Sequence, residues 1–110
     1  VAAWPRPRSL ARALRRDGLL PNVMRPGQPT GRPTVEDFRE IAAYVAEHRT
    51  APGPFDLVAE GETPGEGADR GASLVRPWQE AGATWWLEAR WEGGVDALRR
   101  RLEQGPPRVE

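Results

Sequence analysis

The sequence predicts an α/β protein with a mostly parallel sheet, and three observations predict it. Two short apolar runs, Phe55 to Gly61 and Gly82 to Glu88, flank one amphipathic helical stretch ending near Ala81, the pattern of a βαβ crossover. Strand and helix patterns alternate along the whole chain in the order β-α-β-α-β-α-β-α, which implies parallel strands joined by right-handed crossovers. Each of the two runs closes on a glutamate, Glu60 or Glu88. In parallel-sheet folds ligands meet the carboxyl ends of strands, so these positions mark where a site belongs.

Val1 to Trp4 reads as a short strand, stopped by Pro5 and Pro7. Ser9 to Arg16 carries Leu10, Ala13 and Leu14 at helical spacing, with Ser9 as N-cap and Asp17-Gly18 as the stop. Leu19 to Val23 is a second short strand that Pro21 weakens. Arg25 to Pro33 holds three Pro and two Gly and is a loop. Thr34 caps a helix that ends near Arg49, with Asp37 placed for a capping box and Phe38, Ile41, Ala42 and Val45 as its apolar face. Thr50 to Pro54 leads tightly into the strand Phe55–Glu60. Gly61 to Gly67 is a loop without the spacing of a dinucleotide fingerprint. Asp69 to Glu80 is a helix with Leu74, Val75 and Trp78 along its buried stripe and a kink expected at Pro77. Ala83 to Ala89 is the most hydrophobic strand. Gly93-Gly94 precedes a last helix, Val95 to Glu103, with Val95, Leu98 and Leu102 inward; Gly105-Pro106-Pro107 stops it.

The chain of 110 residues, 1–110, is one domain by length. Its formal net charge is zero, which argues against a nucleic-acid binder. Every basic side chain is Arg, as GC-rich coding would give; selection of Arg for anion recognition is the other reading. With no Cys, disulfides, thiolate metal sites and cysteine nucleophiles are excluded. No apolar run approaches membrane-spanning length and no signal peptide is visible, so a cytoplasmic location without membrane contact is expected. One His, no Cys and no carboxylates at EF-hand spacing argue against a metal site. Four βα units make half of a (β/α)8 barrel or a small open sheet, and a start inside a strand without Met fits a fragment, a processed chain or a trimmed one.

Several segments resemble one family. Phe55-Asp56-Leu57-Val58-Ala59-Glu60-Gly61-Glu62-Thr63-Pro64-Gly65, Gly82-Ala83-Thr84-Trp85-Trp86-Leu87-Glu88 and the ending Gly105-Pro106-Pro107-Arg108 are similar to the C-terminal region of the luciferase-like flavin-dependent oxidoreductases. So are Val1-Ala2-Ala3-Trp4-Pro5, the Arg-rich helix after it, and Asp17-Gly18-Leu19-Leu20-Pro21. The resemblance implies the C-terminal half of a (β/α)8 barrel that binds reduced FMN or the deazaflavin F420 and carries out redox chemistry on a small organic substrate. The N-terminal strands and their flavin contacts are missing, so the chain alone is expected to be inactive. Ala2 and Ala3 stand where members often have glycine, which limits close approach of the backbone to a phosphate.

Glu60 and Glu88 occupy matching places at the ends of consecutive strands, and paired carboxylates at one rim do acid–base work when their environments differ. Solvated or Arg-paired rim carboxylates are the bland alternative. Trp85 and Trp86 fall on opposite faces of their strand. Under the resemblance, Ala3, Trp4, Arg6, Arg8 and Trp86 are the cofactor-binding candidates: Arg6 or Arg8 for the phosphate, the aromatics as a wall beside the ring, with Trp91 near the same mouth. Core packing and a solvated Arg face explain the same residues without a ligand. His48 ends its helix and has no nucleophile motif around it.

A rival reading follows from the same fold. An open half-barrel leaves two strand edges and an apolar face bare, so a non-catalytic α/β module that self-associates or binds a partner is the alternative. Both readings expect a homo-oligomer or partner rather than a stable monomer.

Overall fold

In the computed structural model, described over residues 2–27, 31–65, 68–90 and 92–108, the chain is α/β with parallel strands in open sheets. The elements are β1 (Ala2–Trp4), α1 (Pro7–Ala13), β2 (Gly18–Leu19), β3 (Pro21–Val23), α2 (Val35–His48), β4 (Asp56–Gly61), α3 (Ala68–Glu80), β5 (Trp85–Glu88) and α4 (Gly94–Glu103). β1 pairs with β3, and β2, β4 and β5 form a second sheet in that order, all parallel. Among the described residues no helix is long and apolar enough to cross a membrane.

The strand expected over Leu19–Val23 is split. Gly18 and Leu19 pair with Asp56 and Leu57 of β4, whereas Pro21 to Val23 pair with β1. Pro21 brings no N–H, so the ladder changes partner at Leu20, whose carbonyl accepts from the Ala2 amide at 3.2 Å.

Alternation sorts the strand side chains. Ala2, Leu19, Val23, Leu57 and Ala59 point to one face, where they form a single buried cluster with Leu10 and Leu14 at the first helix, Phe38, Ile41 and Val45 of α2, and Ala81. Trp4, Tyr44, Trp78 and Trp86 pack around it. Among the described residues, helices thus cover one face. The opposite face carries Asn22, Val58, Glu60, Trp85 and Leu87 and stays open; Trp85 is 60% and Leu87 46% exposed.

α2 forms as its sequence dictates. The Thr34 hydroxyl accepts from the Asp37 amide at 3.1 Å, and the Asp37 carboxylate accepts from the Thr34 amide at 2.8 Å, a complete capping box. Arg25 adds an ion pair to the same carboxylate and, with the Thr34 bonds, holds the Asp37 carboxyl at about 2, well below the usual 3.8, despite the opposing effect of burial. A carboxyl lowered by folding contributes stability that is complete above its ordinary range and is lost as pH falls toward 2. Thr34→Ala is therefore expected to cost about 1 kcal/mol at neutral pH. Asp37→Asn is expected to flatten the acid side of the stability curve, checked by thermal melts between neutral pH and about 2.

At the other end of α2, Arg49 ties three segments together. Its guanidinium donates to the carbonyls of Leu14 and Arg16, both at 2.7 Å, and to Pro52 at 3.3 Å, and lies 4.6 Å from the centre of the Phe55 ring. His48 ends the helix as expected and stacks on Tyr44.

Other expectations are corrected. α1 begins at Pro7, a residue suited to the first helical position, so Ser9 lies inside it; the Ser9 hydroxyl accepts from the Ala3 amide instead of capping. α3 runs through Pro77 to Glu80, and on its stripe Val75 is buried but Leu74 is 50% exposed. The largest departure is α4. Val95, Leu98 and Leu102 face outward at 69%, 43% and 72% exposure, and the buried residue is Arg101. A polar anchor, not the apolar stripe, sets how this helix sits: Arg101 reaches Thr63, Glu88 and Gly105.

Candidate functional site

β4 and β5 are joined at both ends. At the start, the Thr84 hydroxyl accepts from the Leu57 amide at 2.9 Å and donates to Asp56 at 3.0 Å. Along the ladder, Gly61 is required by the neighbouring indole: a Cβ there would stand 2.8 Å from Trp86. At the carboxyl end, Glu88 and Thr63 close the pair.

Glu88 is surrounded by donors. It accepts from the Thr63 amide at 2.7 Å, the Thr63 hydroxyl, the Trp86 indole N–H at 3.3 Å and Arg101 Nη2 at 3.3 Å, and Arg90 Nε lies 3.7 Å away. Arg101 Nε donates to the Thr63 carbonyl at 3.2 Å and Nη2 to the Thr63 hydroxyl at 2.8 Å; Arg90 Nη2 also donates to that carbonyl. Burial pushes the Glu88 carboxyl up, but the Thr63 hydroxyl and amide, the indole and Arg101 outweigh it, so it lies below its ordinary value. Three of these donors converge on Oε1 and the Thr63 amide on Oε2, so the ionised carboxylate is held as a fixed counter-ion.

Glu60 stands differently. The register places Glu60 opposite Leu87 and Gly61 opposite Glu88. Side chains alternate, so Glu88 points with Trp86 to the helix-covered face, and Glu60 points with Val58, Trp85 and Leu87 to the open one. The two glutamates end their strands at the same edge but on opposite faces, and they are not an acid–base pair. Among the described residues Glu60 has no hydrogen-bonding or ionic partner.

The remaining candidates are spread over both faces. Trp4 meets Tyr44 edge-on at 5.5 Å and Trp86 packs against Trp78, both on the helix side. Ala3 is opposite Asn22, and its amide is taken by Ser9. Arg6, at the N-cap of α1, lines a cavity of about 340 Å³ with Met24, Arg25 and Pro26 at the carboxyl end of β1 and β3; Arg8 is exposed within α1 and does not line it. Trp91 and Gly67 lie outside the described residues.

Sequence reasoning missed Arg101; Thr63 and Arg90 fall in the segments just after the two strands, where a site was expected. Arg101 sits on the flank of the Leu98–Leu102 stripe, and that position next to an apolar stripe is the signal available for its burial. Beside these residues a cavity of about 400 Å³ is lined by Pro64, Gly65, Arg70, Arg90, Ala97, Arg100, Arg101 and Gln104. Comparison with protein-family models, with curated proteins and with solved structures finds no match to this chain.

Proposed function

We propose that the chain is the C-terminal half of a (β/α)8 barrel of the luciferase-like flavin-dependent oxidoreductases, the barrel being completed by further βα units. The observation that supports it most is the one-sided build: parallel strands, helices on one face, and an open face bearing Val58, Trp85 and Leu87 with Glu60 at the carboxyl end. The free edge of β5 and the outward stripe of α4 are surfaces that adjoining units would cover.

The residues present fit a flavin in part. Trp85 and Leu87 offer an apolar wall to an aromatic ring, and Arg6 offers positive charge at the strand ends, Arg25 beside it being paired with Asp37. Ala3 offers no free amide, and Trp86 stands on the covered side. A bound FMN or F420 would supply the redox chemistry, and this chain would supply a wall and one carboxylate.

The test is a pair of substitutions in the complete enzyme. Glu60→Gln is expected to change turnover or flavin affinity at an unchanged melting temperature, while Glu88→Gln lowers the melting temperature. Unchanged kinetics and flavin affinity for Glu60→Gln would remove it from the site. The exposure of Trp85 and Leu87 also favours the second reading, a self-associating module without catalysis. Sedimentation of the chain alone then gives an oligomer and flavin titration gives no binding, whereas a well-folded monomer counts against both readings.

A further inference from the structure

We propose that the arginine-lined cavity beside Glu88 binds a small phosphate-bearing anion, a phosphate monoester or inorganic phosphate. The cavity lies between the segment after β4, the first turns of α3, the end of β5 and one side of α4. Its volume, about 400 Å³, falls within the span of small-molecule sites, roughly 300–1,000 Å³. Of the eight described residues that line it, four are arginines and none is acidic.

The four divide into frame and donors. Arg101 is 5% exposed, and its Nε, Nη1 and Nη2 are all engaged by Thr63, Gly105 and Glu88, so it forms a fixed wall. Arg90 places Nη2 on the Thr63 carbonyl and its buried Nε 3.7 Å from Glu88 Oε2, while its side chain as a whole stays 26% exposed beside the cavity. Arg70 and Arg100 are exposed, line the same cavity, and make no ion pair among the described residues. Among the described residues Glu88 is the carboxylate paired with the cluster, and it offsets one positive charge and leaves an excess. Guanidinium groups match phosphate oxygens in bidentate geometry, and a dianion satisfies several of them together. The site lies on the helix-covered side and does not depend on the flavin reading.

The experiment titrates inorganic phosphate, and separately phenyl phosphate, into the chain at constant ionic strength and follows the arginine Nε–H resonances by NMR. Saturable shifts at Arg90 are expected. Phosphate alone saturating assigns the free ion; tighter binding of phenyl phosphate assigns an organic monoester. Replacing Arg70 and Arg100 together by Gln is expected to weaken binding roughly tenfold or more, since charged hydrogen bonds are lost. Arg99→Gln, on α4 but not lining the cavity, is the control and leaves affinity unchanged. Non-saturable shifts, or equal affinity in the Arg70/Arg100 variant and the Arg99 control, overturn the proposal. Both substituted arginines are exposed, so the variants keep the fold.

Discussion

Arg101→Leu is expected to lower the unfolding free energy by about 2–4 kcal/mol. Removing one member of a buried ion pair leaves the other charge without its partner, at about 3–5 kcal/mol when burial is complete. Here Arg101 is 6% and Glu88 22% exposed at the side chain, so water recovers part of that cost. The Thr63 carbonyl also loses a donor, and α4 loses its anchor. For a domain of this size the melting temperature falls by roughly 10–20 °C. The double variant Arg101→Leu with Glu88→Leu is expected to be more stable than Arg101→Leu alone, because no unpaired charge remains. Urea unfolding of the three proteins checks this; a loss below about 1 kcal/mol would put the pair in the class of surface bridges.

Phe38→Ala is expected to cost about 3–5 kcal/mol, the largest effect of any single truncation in the chain. Phe38 is 0% exposed and meets Trp78 edge-on at 5.6 Å, so its loss opens a cavity where α2 and α3 meet. Phe38→Leu retains most of the volume and is expected to cost under about 1.5 kcal/mol. Near-ultraviolet circular dichroism reports the accompanying change at Trp78. A Phe38→Ala protein with unchanged unfolding would mean that the cluster is not the core.

Helix α2 is the element most legible in the sequence, because its determinants are local: Thr34 and Asp37 form the cap, and Phe38, Ile41 and Val45 fall on one side at helical spacing. The two long strands are equally plain: β4 shifts by one residue, and β5, expected over Ala83 to Ala89, spans Trp85–Glu88. The face each glutamate takes was not legible. Both runs end in Glu, so Glu60 and Glu88 look equivalent, yet the register sets Glu60 against Leu87, and one residue of offset reverses the face. Register depends on cross-strand contacts such as Thr84 with Asp56 and Thr63 with Glu88, which join residues more than 20 apart. The orientation of α4 was hidden for a similar reason. Periodicity locates the Val95–Leu98–Leu102 stripe but does not say what covers it, and the acceptors that draw Arg101 inward lie on a distant loop and strand. Of the candidate site, Glu88 and Trp86 were visible and the strand ends marked the segments that hold Thr63 and Arg90, while Arg101 was not legible.

The alternation along β4 and β5 also divides how freely positions can be exchanged. Leu57, Ala59, Gly61, Trp86 and Glu88 share the face where the core and the ion cluster form, so a random library at these positions should yield few folded clones. Val58, Glu60, Trp85 and Leu87 stand between them in sequence yet owe little to folding. Neighbouring codons in one strand therefore answer to different demands. A new ligand preference could be selected at 58, 60, 85 and 87 while the intervening residues stay fixed, which gives this small sheet a built-in separation between what it must keep and what it can vary.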